Sequence, residues 1–141
     1  MTTEVRMATA DDAADLARLN KAFNGGELLP TSEIIESMNR NSELIVVAIM
    51  DGKVVGFACA QSYKSFCYRE GQGEVTEMYI EQAARRKGLA TSMIALLEDK
   101  LAERGVKNIK ILTGSDNDPA IRTYERCGYV KDDEIFLQKE L

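Results

Sequence analysis

Three consecutive cations, Arg85, Arg86 and Lys87, stand directly before Gly88 in a chain of net charge -5. A helix is predicted to begin after this glycine, and the first N–H groups of a helix have no partner within it. They lie at the positive end of the helix dipole, which stabilises anions and disfavours cations. Glycine also allows a phosphate to approach the backbone closely. The run therefore predicts a turn that binds phosphate mainly through main-chain N–H groups.

Two other phosphate-binding motifs do not fit the sequence. Gly71 and Gly73 begin a GxGxxG pattern, but Thr76 takes the place of the third glycine, and a strand is predicted there instead of a helix. The chain has no GxxxxGK[ST] sequence, so a P-loop nucleotide site is excluded.

Histidine is absent, and the three cysteines have no CxxC spacing. Neither a zinc site nor a disulfide framework is expected, and no metal is predicted. Without histidine, the usual activator of a cysteine or serine nucleophile is missing. We interpret Cys59, Cys67 and Cys127 as buried, small apolar residues. Carboxylates are then the remaining candidates for a catalytic base.

Length and charge place limits on the class of protein. The 141 residues are expected to form a single domain spanning 1–141. The net negative charge disfavours nucleic acid as a partner and is compatible with cationic partners. A net charge of this size also keeps a protein soluble. Residues 1–6 have no apolar run, and no stretch is long enough for a membrane span. We therefore expect a cytoplasmic protein without a membrane partner.

The apolar spacing predicts an α+β fold with a mixed, mostly antiparallel sheet flanked by helices. Asp51-Gly52 supplies the positive φ angles of a tight hairpin between two of the strands. The β-α-β unit at residues 74–112 implies one parallel pair of strands. The predicted order is β-α-α-β-β-β-α-β-α-β, with strands at 4–7, 44–49, 53–60, 74–80 and 107–112, helices after Asp12, Pro30, Gly88 and Asp118, and a final strand or strand pair from 129–130 and 135–137.

Two spaced motifs resemble those of one superfamily. Arg85-x-x-Gly88-x-Ala90 resembles the acetyl-CoA signature [QR]xxGx[GA] of the GNAT superfamily of N-acetyltransferases. The run Asn117-x-x-Ala120-x-x-x-Tyr124-x-x-x-Gly128-Tyr129 resembles the second motif of the same family. Residues 77–97 are further similar to the GNAT-type aminoglycoside N-acetyltransferases, which carry an acidic residue at the Glu77 position. The proline often found between Ile80 and Arg85 is missing here.

The resemblance implies the GNAT fold, acetyl-CoA as cofactor and transfer of an acetyl group to an amine. It implies that the backbone from Met78 to Ile80 binds the pantetheine arm and that the N–H groups from Arg86 to Thr91 bind the pyrophosphate. It places Asn117 near the pantetheine and Tyr124 beside the thioester sulfur, where its hydroxyl can protonate the leaving thiolate. The implied cofactor-binding residues are Met78, Tyr79, Ile80, Arg85, Arg86, Lys87, Gly88, Leu89, Ala90, Thr91, Asn117, Ala120 and Tyr124.

Direct transfer needs a neutral amine. A lysine-type amine has a pKa of about 10.4, so few of its molecules are neutral at pH 7. A carboxylate base, acting through water, can recover part of this penalty. Glu74 and Glu77 lie on the predicted cofactor strand, three residues apart. In a regular strand they point to opposite faces, so only one faces the acceptor unless a bulge intervenes. Glu77 is favoured by the likeness to aminoglycoside acetyltransferases. Glu74 lies on the strand face that some protein acetyltransferases of the superfamily use for their base.

The acceptor pocket is expected between the first two helices and the 64–73 loop. Acidic and aromatic groups there would suit a small cationic amine. A peptide or protein N-acetyltransferase, which needs an open groove, and a non-catalytic acyl-CoA-binding module are the alternatives. Homodimers are common in the family, and the C-terminal strand could pair across an interface. The candidate acceptor residues are Asn24, Glu27, Tyr63, Phe66 and Tyr68.

Overall fold

The computed structural model describes residues 1–141 and confirms the α+β class. Strands and helices follow one another as predicted up to the last helix, and two single 3-10 turns precede helices α1 and α3. None of the helices is long and apolar enough to cross a membrane. The elements are β1 (Thr3–Met7), α1 (Ala13–Asn24), α2 (Thr31–Arg40), β2 (Leu44–Met50), β3 (Lys53–Tyr63), β4 (Gly71–Ile80), α3 (Leu89–Glu103), β5 (Val106–Ile111) and α4 (Asp118–Arg126).

The five strands form one sheet in chain order, from β1 to β5. The first four strands pair antiparallel, and β4 and β5 pair parallel through the α3 crossover, as predicted. The β2–β3 hairpin turns at Asp51 and Gly52, with φ angles of 51° and 80°. These left-handed angles are the reason for an Asp-Gly pair at this position.

Helices cover both faces of the sheet. On one face, Met93, Leu97 and Leu101 of α3 are fully buried in a core with β2, β3 and β4. On the other face, Leu16 and Leu19 of α1 pack against apolar side chains of β2 and β3. Strand β4 therefore presents alternate side chains to two different layers.

The start of α1 is held by a buried carboxylate. Asp12 is 4% exposed and receives two hydrogen bonds from the Arg6 guanidinium, at 2.8 and 2.9 Å. It also accepts from the Thr9 N–H at 2.8 Å, as expected for the predicted capping box. This cluster joins β1 to the helix that covers the second face of the sheet.

A bulge at Thr76 changes the direction of the side chains along β4. Cys59 of β3 pairs with Glu77, and the next residue of β3 pairs with Val75, so Thr76 is the extra residue. Val75 and Met78, three residues apart, consequently both pack in the α3 core. Glu74 and Glu77 then share the opposite face, so the expectation for a regular strand is wrong here and the bulge exception applies.

The predicted final strand is wrong. No strand follows α4, and residues 129–141 have no regular secondary structure. Residues 130–141 are all exposed, so neither sheet hydrogen bonds nor burial stabilise an extended pairing. Its apolar side chains are largely exposed: Val130 by 87%, Ile135 by 84%, Phe136 by 62%, Leu137 by 86% and Leu141 fully.

Candidate active site

Strands β4 and β5 separate partway along their length. Their pairing ends at Val75 and Ile111, whereas β4 continues to Ile80. Residues 77–80 of β4 therefore pair with β3 alone and, together with the bulged Thr76, leave one backbone edge open. A groove of about 680 Å³ lies in this opening, between β4, β5, α3 and α4.

The N-terminus of α3 forms one end of the groove. Gly88 is its N-cap residue with a left-handed φ of 78°, and no side chain caps the first turn. A Cβ built on Gly88 would meet no protein atom within 4 Å, so the space above the turn is open. Arg86 also has a positive φ, of 64°. The uncapped N–H groups and two flanking arginines make this end of the groove suited to an anion.

The groove brings together twelve of the thirteen predicted cofactor-binding residues, and Lys87 is the exception. Glu77 lines it as well. The sequence interpretation missed residues on α1 and β5 and small hydroxyl residues, because their neighbourhood depends on packing between distant segments. Those lining residues include Phe23, Thr76, Ile111, Thr113, Thr123 and Arg126.

Two of the predicted residues also have structural contacts. The Arg85 Nε donates to the Ile80 carbonyl at 2.8 Å, which holds the turn that leads from β4 to α3. Asn117 is the N-cap of α4, and its Oδ1 accepts from the Ala120 N–H at 3.4 Å. Both side chains thus shape the groove in addition to lining it.

Tyr124, on α4, lines the groove, and its hydroxyl is the proton-bearing group. It has no hydrogen-bond partner within the protein, and the ring packs edge-on against Tyr129 with centroids 6.5 Å apart. Burial, with a smaller contribution from Cys127, raises the pKa of Tyr124. Its hydroxyl therefore keeps its proton at neutral pH. The Tyr129 hydroxyl, just after α4, donates to Glu98 of α3 at 2.8 Å and so holds the end of α4 beside α3.

A second cavity, of about 420 Å³, lies between α1, α2 and the face of β2, β3 and β4. Glu77 lines both this cavity and the groove, and it is the one residue that the two spaces share. The other residues that line the cavity are Leu16, Asn20, Leu29, Glu33, Ile34, Ser37, Met38, Glu43, Ile45, Phe57 and Cys59.

Glu43 and Cys59 were missed as site residues by the sequence analysis. Burial raises the pKa of Glu43, the Cys59 thiol opposes this as a hydrogen-bond donor, and the charge of Glu77 adds to the rise. Glu43 stands two residues before Ile45, and strand alternation places both on the face covered by α1 and α2. That parity is the signal in the sequence that could have found it.

The cysteines differ from one another in burial. Cys59 is buried as predicted, whereas Cys67 is exposed and Cys127 is half-buried, so the prediction is wrong for those two. Burial, and then the charges of Glu43 and Glu77, raise the pKa of Cys59 far above its ordinary value. A thiol that stays protonated is a poor nucleophile, so an acyl-cysteine step at Cys59 is disfavoured.

Glu74 lies on the same face as Glu77 but in a different environment. Its carboxylate lies 3.9 Å from the Lys110 Nζ, and it lines neither of the two cavities. Of the two candidate bases, only Glu77 reaches both spaces.

The five predicted acceptor residues line neither cavity. Asn24, the last residue of α1, and Glu27, which follows the helix, are both exposed. Tyr63, Phe66 and Tyr68 are exposed by 49%, 98% and 61%. The structure therefore does not bring these five residues together beside Glu77.

Comparison with known proteins identifies the family. The family model described as Acetyltransferase (GNAT) family matches residues 13–129. The chain belongs to the GNAT acetyltransferase family. An acetyltransferase of Yersinia pestis is 31% identical to it over 112 residues, which cover 79% of this chain and 75% of the relative. This GNAT domain therefore belongs among acyl-transferring enzymes, as the two motifs predicted.

Solved structures confirm the GNAT fold. An aminoglycoside acetyltransferase from an uncultured soil metagenomic sample aligns with a TM-score of 0.86 at 21% identity, covering 100% of this chain and 99% of that one. A ribosomal-protein-alanine N-acetyltransferase of Brucella melitensis aligns with a TM-score of 0.81 at 18% identity, covering 99% and 100%. At these identities the likeness establishes the fold alone. The two names also show that one fold serves a small-molecule and a protein acceptor.

The groove fits the acetyl-CoA that the family generally uses. The Thr76 Oγ1 is buried at its wall without a hydrogen-bond partner, so it can accept or donate to a polar ligand. The open space at Gly88 and the uncapped α3 N-terminus suit a pyrophosphate. The open edge of β4 suits a flexible chain that carries amide groups.

Proposed function

We propose that this GNAT protein is an acetyl-CoA-dependent N-acetyltransferase whose acceptor is a small cationic primary amine. The observation that carries the proposal is the position of Glu77, which lines both spaces. We call the 680 Å³ groove beside β4 the cofactor groove and the 420 Å³ cavity under α1 and α2 the acceptor-side cavity. A carboxylate at that junction can face the amine and the acyl group at the same time. The second cavity has three glutamates and no lysine or arginine in its lining, which supports a cationic acceptor.

The α3 N-terminus, the β4 edge and Asn117 have separate tasks in this proposal. The N–H groups of Leu89, Ala90 and Thr91, with Arg86, hold the pyrophosphate, and the free edge of β4 holds the pantetheine arm. Acetyl-CoA, when bound, supplies an acetyl group activated as a thioester. Asn117 keeps α4 against the groove through its cap.

Two side chains move protons. Glu77 accepts a proton from the substrate ammonium, directly or through water, and so produces the neutral amine that attacks. Tyr124 holds its hydroxyl proton because its pKa is raised by burial, and it donates that proton to the leaving thiolate. An N–H of the cofactor strand, such as that of Ile80, can stabilise the negative charge on the carbonyl oxygen.

Acetyl-CoA titration by calorimetry, followed by thiol release with a panel of amines and short peptides, tests the proposal. Gly88→Glu places a carboxylate in the pyrophosphate site and should weaken acetyl-CoA binding at least about 100-fold. Gly105→Glu is the matched control, because Gly105 has a similar φ of 84° and open space but lies at the other end of α3. Equal binding by the two variants would contradict the assignment of the groove.

The panel also separates the alternatives. Thiol release with peptides alone would favour a peptide N-acetyltransferase. Acetyl-CoA binding without release for any acceptor would favour a non-catalytic acyl-CoA-binding module. The single-domain organisation over 1–141, the cytoplasmic location and the lack of a nucleic-acid partner stay predictions of the sequence.

We propose a homodimer as the functional assembly. The exposed apolar side chains of Ile135, Phe136 and Leu137 support this, because an uncovered apolar run is typical of an interaction surface. Strand β5 is the last strand of the sheet and has a free edge. An extended tail of a second copy could pair with that edge.

A further inference from the structure

The acceptor-side cavity has a strongly one-sided charge. Glu33, Glu43 and Glu77 line it, and no lysine or arginine does. Cys59, only 6% exposed, lies between the last two carboxylates and contributes a neutral thiol. A space with three carboxylates and no cation is complementary to a positively charged group.

The rest of the cavity wall is apolar. Seven of its twelve lining residues are hydrophobic, among them Ile34, Met38 and Phe57. Asn20 and Ser37 are the neutral polar side chains that line it. A sugar ring placed here would bury hydroxyl groups that have too few partners, which is unfavourable by about 1–3 kcal/mol for each unpaired group. An alkyl or aromatic body would gain contacts instead.

The two deep carboxylates are positioned to share one cation. Glu77 is the cross-strand partner of Cys59, and the Cys59 thiol is a hydrogen-bond partner of Glu43. The charge of Glu77 also raises the pKa of Glu43, in addition to the effect of burial. Two anions that repel each other in a half-buried site are both stabilised by a cation between them. A single ammonium group is sufficient for this.

We infer that the acceptor is a small primary monoamine with an apolar body, whose ammonium group lies between Glu43 and Glu77 and whose body contacts Phe57, Ile34 and Met38. This rests on the proposed function and narrows its substrate class. In the transfer, the amine gives one proton to Glu77, its nitrogen bonds to the acetyl carbon, and the carbon–sulfur bond breaks. The thiolate takes a proton from Tyr124, and the second proton that the nitrogen loses replaces it on Tyr124 through water. Glu77 releases its proton to solvent, so an amide, a free thiol and the starting form of the enzyme are produced.

Thiol release with phenethylamine and n-hexylamine, compared with kanamycin and spermidine, tests the inference. We expect kcat/KM to be at least about tenfold higher for the two monoamines, because only they match both the charge and the apolar wall. A tenfold or larger preference for kanamycin or spermidine would overturn the inference and leave the proposed acetyltransferase activity standing.

Variants on the cavity wall supply a second test. Glu43→Gln should raise the KM for phenethylamine about tenfold or more, because a charge-assisted contact is lost. Glu33→Gln should also raise the KM for phenethylamine. Glu33 is exposed on α2, so this substitution should not affect folding. Glu36→Gln is the matched control on the same helix, since Glu36 lines neither cavity and pairs with Arg40 at 3.2 Å. Unchanged KM values in both cavity variants would contradict the inference.

A binding measurement separates failure of the inference from failure of the proposed function. Calorimetry of phenethylamine and kanamycin with the protein in the presence of coenzyme A needs no turnover. Preferential phenethylamine binding that Glu43→Gln weakens, without thiol release, would support the cavity assignment and contradict the catalytic proposal. Thiol release with other amines, without phenethylamine binding, would do the reverse.

Discussion

At the residue scale, two carboxylates that look equivalent in the sequence have different surroundings. Glu77 reaches the groove and the acceptor-side cavity, whereas Glu74 faces Lys110 across 3.9 Å. The bulge at Thr76 puts both on one face, so parity does not decide between them. Their positions relative to the two cavities distinguish them, because only Glu77 lines both.

The first prediction concerns these carboxylates. Glu77→Gln should lower kcat for thiol release by about 10²-fold, because the residue that accepts the ammonium proton is lost. Glu74→Gln is the control and should stay within about twofold, since surface ion pairs contribute little. Steady-state kinetics with a monoamine acceptor checks both variants. An equal loss in the two variants would argue against a specific role for Glu77.

The second prediction concerns Tyr124. Tyr124→Phe should lower kcat by about 10²-fold with acetyl-CoA affinity unchanged, because only the proton donor is removed. Tyr68→Phe, an exposed tyrosine on the 64–70 loop, is the control. Activity that depends on protonated tyrosine is present below its pKa and is lost as the pH rises through it.

The pH profile provides a further check of this role. Burial raises the pKa of Tyr124 above the ordinary value of about 10. The alkaline loss of activity due to Tyr124 should therefore lie above about pH 10, and it should vanish in Tyr124→Phe. A profile that is the same in the wild type and in Tyr124→Phe would contradict the general-acid role.

At the scale of elements, short contacts hold the walls of the site in place. Arg18 of α1 forms an ion pair with Glu81, directly after β4, and donates to the Val54 carbonyl at 3.0 Å. The Tyr129–Glu98 hydrogen bond joins the segment directly after α4 to α3. The helix that covers the acceptor side and the turn that leads to the phosphate site are thus connected through one arginine.

The third prediction concerns the start of α1. Asp12→Asn should lower the free energy of unfolding by about 1–2 kcal/mol, because the hydrogen bonds from Arg6 lose a charged acceptor. This is less than the about 3–5 kcal/mol for a fully buried pair, since the Arg6 side chain is 40% exposed. Urea denaturation measures the difference. Asp11→Asn, at the exposed neighbouring position, is the control and should have little effect.

The same cluster has a predictable pH dependence. The Arg6 hydrogen bonds, opposed by burial and aided by the Thr9 N–H, lower the pKa of Asp12. Its stabilising contribution is therefore present above the ordinary pKa of about 4 and is lost as the pH falls through the lowered value. The difference between the wild type and Asp12→Asn should shrink as the pH is lowered in that range. A constant difference would contradict this assignment.

At the scale of the whole molecule, the sheet ends in a free β5 edge beside an apolar tail. Helices cover both faces of the sheet, but nothing covers residues 130–141. Apolar side chains at alternate positions, such as Ile135 and Leu137, suit strand pairing with a second copy.

The fourth prediction concerns this tail. The wild type should be a dimer by light scattering, and Leu137→Lys should weaken dimerisation about tenfold or more, because a charge replaces a covered apolar contact. Gln138→Lys is the matched control, since it adds the same charge at the neighbouring polar position. A wild type that is monomeric at micromolar concentrations would contradict the proposed dimer.

The sequence alone determined the features that depend on short stretches of chain. The helix start after Gly88, the Asp51-Gly52 hairpin and the spacing from Asn117 to Tyr124 follow from local backbone preferences, and they predicted the fold and most of the groove. Helical spacing and caps are set within a few residues, so no distant contact was needed to recognise them.

Only the tertiary structure decided the acceptor side. The bulge at Thr76 depends on the register between β3 and β4, and the sequence between Glu74 and Glu77 has no signal that sets it. The acceptor-side cavity joins Glu43, Cys59 and Glu77 from three strands or strand ends. A residue becomes part of a cavity through packing between distant segments, so local pattern could identify the strand that borders the groove but not the residues that line the second cavity.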